Sequence, residues 1–141
     1  MIYEDLSWIF LEWRRYQQRR LQPFGITIQQ YSLMREISKS GSMCANQAAD
    51  FLHCDAPTLS VIISNLRKKG LIDRIMDEND RRKCRIIITE TGIAELKRIR
   101  KEIAPLNSRP FDCLTTEQQS QLSDMLAAGR VHLANILNEE K

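Results

Sequence analysis

Histidine and cysteine, the side chains that most often do covalent or metal chemistry, are few here and badly spaced for it. The chain holds two histidines, His53 and His132, and four cysteines, Cys44, Cys54, Cys84 and Cys113. His53 and Cys54 are sequence neighbours, so they cannot easily chelate one ion from a rigid helix end. No two cysteines form C-x-x-C, which argues against a zinc ribbon or a thioredoxin-like site. No Ser/His/Asp set, glycine-rich phosphate loop or H-E-x-x-H is present. The expectation is therefore no catalytic residue, no metal, no cofactor and no enzyme.

Another group of residues is spaced for a different task, which is holding a polyanion. At 100° per residue along a helix over residues 57–69, Leu59, Ile62, Ile63 and Leu66 share one face, which must meet the core. The opposite face carries Pro57, Ser60, Val61, Ser64 and Lys68, flanked by Thr58, Asn65 and Arg67. It is short, mostly small and polar, and has no Asp or Glu. Small side chains let a helix approach base edges, hydroxyls and Asn can bond bases or phosphates, and Lys can pair with phosphate. An ordinary amphipathic surface helix is the competing reading, but such helices are usually laced with Glu.

Asp80-Arg81-Arg82-Lys83 adds three cations at a turn, with one acid to orient them. A narrow minor groove has enhanced negative potential and accepts inserted Arg. The charge distribution agrees. The net charge is +3, yet residues 57–101 alone carry twelve basic and six acidic side chains. Residues 102–141 carry three basic and six acidic ones. A basic middle between neutral and acidic ends suits one surface for a polyanion.

The elements that must position these residues can be read from periodicity and caps. Leu6, Ile9, Phe10, Trp13 and Tyr16 stripe a first helix, with Trp8 and Leu11 off the stripe, so it contacts more than its own core. Pro23 and Gly25 end it. Thr27 and Gln30 form a capping box for a second helix carrying Tyr31, Leu33, Met34 and Ile37. A short helix follows from about Ala45 to His53, then a tight turn at Cys54-Asp55-Ala56. Asp55 caps the helix over 57–69, which tolerates Pro57 in its first turn and stops at Gly70. Leu71–Met76 and Cys84–Thr89 read as two antiparallel strands around the charged loop, with Cys84, Ile86 and Ile88 on one face. A helix from Glu90 should carry Ile93, Leu96, Ile99, Ile103 and Leu106 until Pro105 kinks or ends it. Thr115 and Gln118 cap a last helix striped by Leu122, Met125, Leu126, Leu133, Ile136 and Leu137. A short helix, a turn and a second helix make a helix-turn-helix, whose second helix normally enters the DNA major groove.

At this level the chain resembles the MarR (multiple antibiotic resistance regulator) family. Leu66, Gly70-Leu71-Ile72, Arg74 and the run from Asp80 to Gly92 carry the likeness. The family pattern Asp-x-Arg, five residues, Leu-Thr, two residues, Gly is met by Asp80, Arg82, Ile88-Thr89 and Gly92, with Ile88 in place of Leu. Ala48-Ala49 and Asp55 to Ser60 fall where the family's helix-turn-helix would place them. The resemblance implies a mainly α fold with a small β-hairpin wing: a winged helix-turn-helix dimer, triangular, built from interlocked N- and C-terminal helices. Residues 1–141 would form a single domain, with 1–26 and 90–141 as dimerisation helices and 27–89 as the DNA-binding lobe. It implies a recognition helix in each of two successive major grooves, Arg82 in the flanking minor groove, Asp80 orienting it and Arg74 near the backbone. Val61 stands where many members carry Arg, so no base preference is carried over.

The expected function is sequence-specific transcription regulation by a homodimer on palindromic double-stranded operators, as a ligand-responsive repressor. DNA contacts are assigned to Thr58, Ser60, Val61, Ser64, Asn65, Lys68, Arg74, Arg81, Arg82 and Lys83, with Asp80 supporting the wing. Trp8, Trp13 and Tyr31 are candidates for a small aromatic ligand, against the plainer reading of core or interface aromatics. Cys44, where the first helix of the helix-turn-helix begins, sees the positive end of a helix dipole and is a candidate redox thiol. The competing reading is a small residue filling the cap region, and Cys54 and Cys84 are assigned to the core. Two other functions stay open: a thiol-based redox-sensing regulator, and a winged-helix protein-interaction module, such as an antirepressor, without DNA binding. No apolar run approaches a membrane span. The acidic start Met1-Ile2-Tyr3-Glu4-Asp5 is unlike a signal peptide, so a cytoplasmic location is expected.

Overall fold

The computed structural model describes residues 1–107 and 109–140. Among them lie six α-helices and a three-stranded antiparallel sheet. In chain order these are α1 (Ile2–Leu21), α2 (Ile28–Ser40), β1 (Met43–Cys44), α3 (Ala45–Leu52), α4 (Ala56–Lys68), β2 (Ile72–Met76), β3 (Cys84–Ile88), α5 (Glu90–Ile103) and α6 (Thr116–Glu139). The chain adopts the mainly helical winged helix-turn-helix class that the order of elements predicts.

Local chemistry sets the helix ends. Thr27 Oγ1 accepts the Gln30 N–H at 3.2 Å, and Gln30 Oε1 accepts the Thr27 N–H at 3.0 Å. Thr115 and Gln118 repeat the exchange at the start of α6, at 3.2 and 2.9 Å. Asp55 caps α4 by accepting the Thr58 N–H at 2.8 Å. The turn between α3 and α4 opens one residue earlier than expected, because His53 itself adopts a left-handed conformation (φ 51°). For a non-glycine residue that costs roughly 1–2 kcal/mol, a strain held by the packed helices on either side. Pro105 ends α5 as expected, in a 3-10 turn over Ala104–Leu106.

Contacts divide the chain into two compact units, Met1–Leu106 and Asn107–Lys141. The core of the first joins Leu33, Met34 and Ile37 of α2, Leu59, Ile62, Ile63 and Leu66 of α4, Ile86 of β3, and Leu96, Ile99 and Ile103 of α5. The buried face of α4 is thus the one its wheel requires. The expected stripe of α5 holds at Leu96, Ile99, Ile103 and, in the turn that follows, Leu106, and departs only at its first position. Gly92 is buried and Ile93 is exposed. The cause is a close approach: a Cβ on Gly92 would lie 2.0 Å from the Leu71 carbonyl oxygen. Only glycine lets α5 rest there, and that contact fixes which way the helix faces.

The sheet has one strand more than periodicity predicts. β1 pairs with β3, Met43 opposite Ile86 and Cys44 opposite Arg85, giving the order β1-β3-β2. β2 and β3 pair from Ile72↔Ile88 to Met76↔Cys84 and form the wing hairpin. Cys84 is exposed rather than buried in the core. It lies at the loop end of the hairpin opposite Met76, itself 61% exposed, where it lines a surface pocket with Cys44 and the first residues of α3. Cys54, by contrast, is half-buried against the core.

Both terminal helices keep large apolar side chains in solvent. On α1 these include Ile2, Tyr3, Trp8, Phe10 and Leu11. In the second unit, among the described residues, no side chain of α6 is buried. Met125, Val131, Leu133 and Leu137 are more than half exposed.

Candidate nucleic-acid interface

α4 begins at a carboxylate-capped end and offers a solvent face free of acidic residues. Asp55 is held below its ordinary carboxylate range by hydrogen bonds from Thr58, first its hydroxyl and then its backbone N–H. Beyond the cap, Thr58, Ser60, Val61, Ser64, Asn65 and Lys68 are all exposed. Val61 is 60% exposed at the middle of the helix. An apolar side chain there adds nothing to the core.

The turn after α4 brings β2 alongside it. Between them lies a cavity of about 560 Å³ lined by Ser60, Ser64, Arg67 and Lys68 from α4, Asp73 and Arg74 from β2, and Thr89 after β3. Arg74 therefore joins the outer face of α4 in one groove. Three further members of this groove, Arg67, Asp73 and Thr89, are not among the contacts assigned from the sequence. Arg67 donates to Asp73 Oδ1 at 3.4 Å, and the same oxygen accepts the Arg74 N–H at 2.8 Å. The wheel had put Arg67 on the flank of α4, but its pairing depends on how β2 returns past the helix. Thr89 closes the groove. Its hydroxyl donates to the Gly70 carbonyl at 2.6 Å and accepts the Gly92 N–H at 3.0 Å, so one side chain ties α4's exit to the start of α5.

The wing loop is shaped mainly by its own acids. The Asp77 N–H donates to the Lys83 carbonyl at 2.8 Å and the Lys83 N–H to the Asp80 carbonyl at 2.9 Å. Asp77 Oδ1 accepts the Asn79 N–H at 2.9 Å, and Asp80 Oδ1 accepts the Arg82 N–H at 3.0 Å. Asp80 thus acts on the backbone of Arg82. Arg81, Arg82 and Lys83 are exposed. The base of the wing is anchored by Arg85, which sequence reasoning passed over. Its Nε donates to Ser42 Oγ at 2.7 Å, its Nη2 to the Ser42 carbonyl at 3.2 Å, and its Nη1 lies 3.7 Å from Asp77 Oδ2. The one available signal was its place on the strand face opposite Ile86.

The other candidates separate. Trp13 lines a cavity of about 290 Å³ with Phe10 and Arg14 of α1, Ile28 of α2 and Phe51 and His53 at the end of α3. Tyr31 is buried in the core at 6% exposure, and Trp8 is 68% exposed. The three aromatics are therefore not brought to one site. Cys44 is the half-buried N-cap of α3, with its N–H donating to Gln47 Oε1 at 3.0 Å. Among the described residues, no group of three or more His, Cys, Asp or Glu side chains could hold a metal ion, and no helix is long and apolar enough to cross a membrane.

Known proteins share this arrangement. The MarR family model matches residues 26–84, from the start of α2 to the wing. The chain is 30% identical over 120 residues to YhbI of Bacillus subtilis, an uncharacterized HTH-type transcriptional regulator, spanning 85% of this chain and 77% of that one. It is 28% identical over 102 residues to the homoprotocatechuate degradative operon repressor of Escherichia coli, covering 72% of this chain and 69% of the repressor. A crystal structure of a mutant MarR from E. coli complexed with operator DNA superposes with a TM-score of 0.81 at 20% identity, over 90% of this chain and 91% of that one. These relatives are regulators, not enzymes. The acid-free outer face of α4, the Asp80/Arg82 wing and the Thr89/Gly92 junction, in a chain so matched, make it a member of the MarR family, a DNA-binding transcription regulator.

Proposed function

We propose that this protein is a ligand-responsive repressor that binds palindromic operator DNA as a homodimer in the cytoplasm. The observation that carries the reading is the outer face of α4, which has no Asp or Glu and stands beside a cationic wing. In this reading residues 27–89 form the DNA-binding lobe, and residues 1–26 and 90–141 form the dimer. α4 lies in the major groove, where Thr58, Ser60, Ser64 and Asn65 meet base edges or phosphates and Val61 meets a thymine methyl. Lys68 and Arg74 pair with phosphate. Arg81, Arg82 and Lys83 reach the flanking minor groove, where charge and groove width are read.

The E. coli relative named as an operon repressor supports the sign of regulation, and the MarR–operator complex supports the mode of docking. The apolar faces left open on α1 and α6 support a second copy. The cavity beside Trp13 supports a small ligand, with Phe10 and Trp13 for an aromatic ring and Arg14 for an anionic group. Its wall includes His53, in the turn between α3 and α4, so occupancy would bear on the recognition helix.

Selection of bound sequences from random duplex DNA with the purified protein tests the core of the reading. The expected product is a near-palindrome with half-sites about one helical turn apart. Recovery of no enriched sequence, with binding that is weak and insensitive to salt, would favour a winged-helix module for a protein partner instead.

A further inference from the structure

The groove between α4 and β2 contains one feature that a simple polyanion site should not have. Its cationic side chains Arg67, Lys68 and Arg74 share the wall with a carboxylate, Asp73. That carboxylate is not remote from the cations: Asp73 Oδ1 lies 3.4 Å from the Arg67 guanidinium. Both partners are about half exposed, at 47% and 58%. A half-exposed pair of this kind holds weakly. It nonetheless gives Arg67 a resting partner and places a negative charge where a phosphate would approach.

We propose that this groove seats a DNA phosphodiester, and that Asp73 is an electrostatic latch that holds Arg67 back until a correctly placed phosphate takes the guanidinium from it. The inference rests on α4 being the DNA-reading helix. The geometry gives the latch two parts. Ser60 and Ser64 supply hydroxyls on the helix side, where a phosphate oxygen can be held as the backbone passes α4. Arg67 lies one turn further on and must turn from Asp73 to reach the same oxygen. Asp73 is fixed for its role, because its Oδ1 also accepts the Arg74 N–H at 2.8 Å. It cannot simply follow Arg67 away.

The consequence is discrimination. On random DNA, where the protein rides the backbone loosely, Asp73 repels phosphate and keeps Arg67 occupied, so non-specific binding loses a contact. On a matched site, base contacts from α4 fix the register and bring one phosphate into the groove, where the exchange is favourable. Asp73 therefore lowers affinity for all DNA but lowers it most for the wrong DNA, a repulsive element that widens the specificity ratio.

The test uses full-length protein with Asp73→Asn and Arg67→Ala, titrated on random-sequence duplex and on the selected operator at salt concentrations from about 50 to 200 mM. Asp73→Asn keeps an oxygen for the Arg74 N–H while removing the charge, and thermal melting confirms that each variant is folded. Asp73→Asn should tighten binding to random duplex severalfold, and tighten operator binding less. On random duplex its plot of log affinity against log salt should steepen by up to about 1.8, the increment for one phosphate contact in each subunit of the dimer. Arg67→Ala should lose the same contact in each subunit on operator, so that its deficit against the parent narrows by roughly 12-fold across that salt range. If Asp73→Asn leaves random-duplex affinity and slope unchanged, or tightens operator binding as much as random binding, the latch is wrong. If Arg67→Ala leaves the operator slope unchanged, the phosphate seat is wrong. Failure of the parent to bind any duplex would instead overturn the DNA-reading role of α4 itself.

Discussion

Single residues on α4 and the wing are assigned different physical jobs, so their loss should look different. Arg82 is an exposed cation whose backbone is held by Asp80. Arg82→Ala should weaken binding to most DNA and reduce the salt slope by roughly one unit per lost phosphate contact. Val61 is uncharged and exposed at the centre of α4. Val61→Ala should leave the salt slope intact and relax preference at one or two base pairs per half-site, costing on the order of 1 kcal/mol. Titration of both on operator and scrambled duplex at several salt concentrations separates the two. A changed slope for Val61→Ala with an unchanged one for Arg82→Ala would exchange their places on the DNA. Asp55 gives a pH signature of its own. Its hydrogen bonds from Thr58 lower its folded pKa beneath the ordinary 3.8. Its contribution to stability is therefore full above the unfolded value and is lost as pH falls through the lower, folded value. Asp55→Asn keeps a capping oxygen without titrating, so its melting temperature should fall less steeply than the parent's in acid below about pH 4.

At the scale of elements, the family pattern Thr89 and Gly92 has a mechanical explanation. Thr89 caps α5 and ties back to Gly70, while Gly92 allows the helix to sit against the Leu71 carbonyl. Gly92→Ala would force a methyl into that contact, and overpacking of this sort costs about 1–3 kcal/mol. Thr89→Ala removes a cap worth about 1 kcal/mol. Chemical denaturation should show both losses, the glycine change being the larger, and a Gly92→Ala protein as stable as its parent would contradict the close approach. The same contrast explains how much of the fold was legible in the sequence. Thr27 with Gln30, Asp55, and Thr115 with Gln118 act within three residues of themselves, so their spacing alone located helix starts. The wheel of α4 separated Leu59, Ile62, Ile63 and Leu66 from the outer face for the same local reason. β1 was invisible because a two-residue strand exists only through its pairing with Ile86 and Arg85. The exposure of Ile93 at the start of α5, the exposure of Cys84, and the Arg67–Asp73 and Arg85–Ser42 contacts likewise depend on segments that meet only after folding. Residue 67 lies 6 positions from its partner and residue 85 lies 43 from its own, and no periodicity carries that information.

At the scale of the whole molecule, the terminal helices pose the largest unmet demand for burial. Trp8, Phe10 and Leu11 on α1, and Met125, Val131, Leu133 and Leu137 on α6, are each more than half exposed. Large apolar side chains clustered on an exposed helix are normally covered by a partner. A two-fold dimer would cover them and would also present two copies of α4 at one helical turn of DNA, about 34–36 Å apart. Dimerisation and tight operator binding are then one property, because each recognition helix gains from the other's attachment as an effectively intramolecular event. Leu133→Glu tests the link. Placing a carboxylate in an apolar interface leaves it buried without a partner, which is costly, while on an isolated α6 that already exposes Leu133 at 55% it should be harmless. Light scattering should find the parent at twice the 16.4 kDa chain mass and the variant at one chain mass with its helical content intact. Binding of the variant to a palindromic operator should fall by at least 10²-fold, the lower range of gains from linking two sites, whereas its binding to a single half-site should match the parent's. A monomeric variant that held the full palindrome as tightly as the parent would separate assembly from recognition and remove the reason for the open faces of α1 and α6.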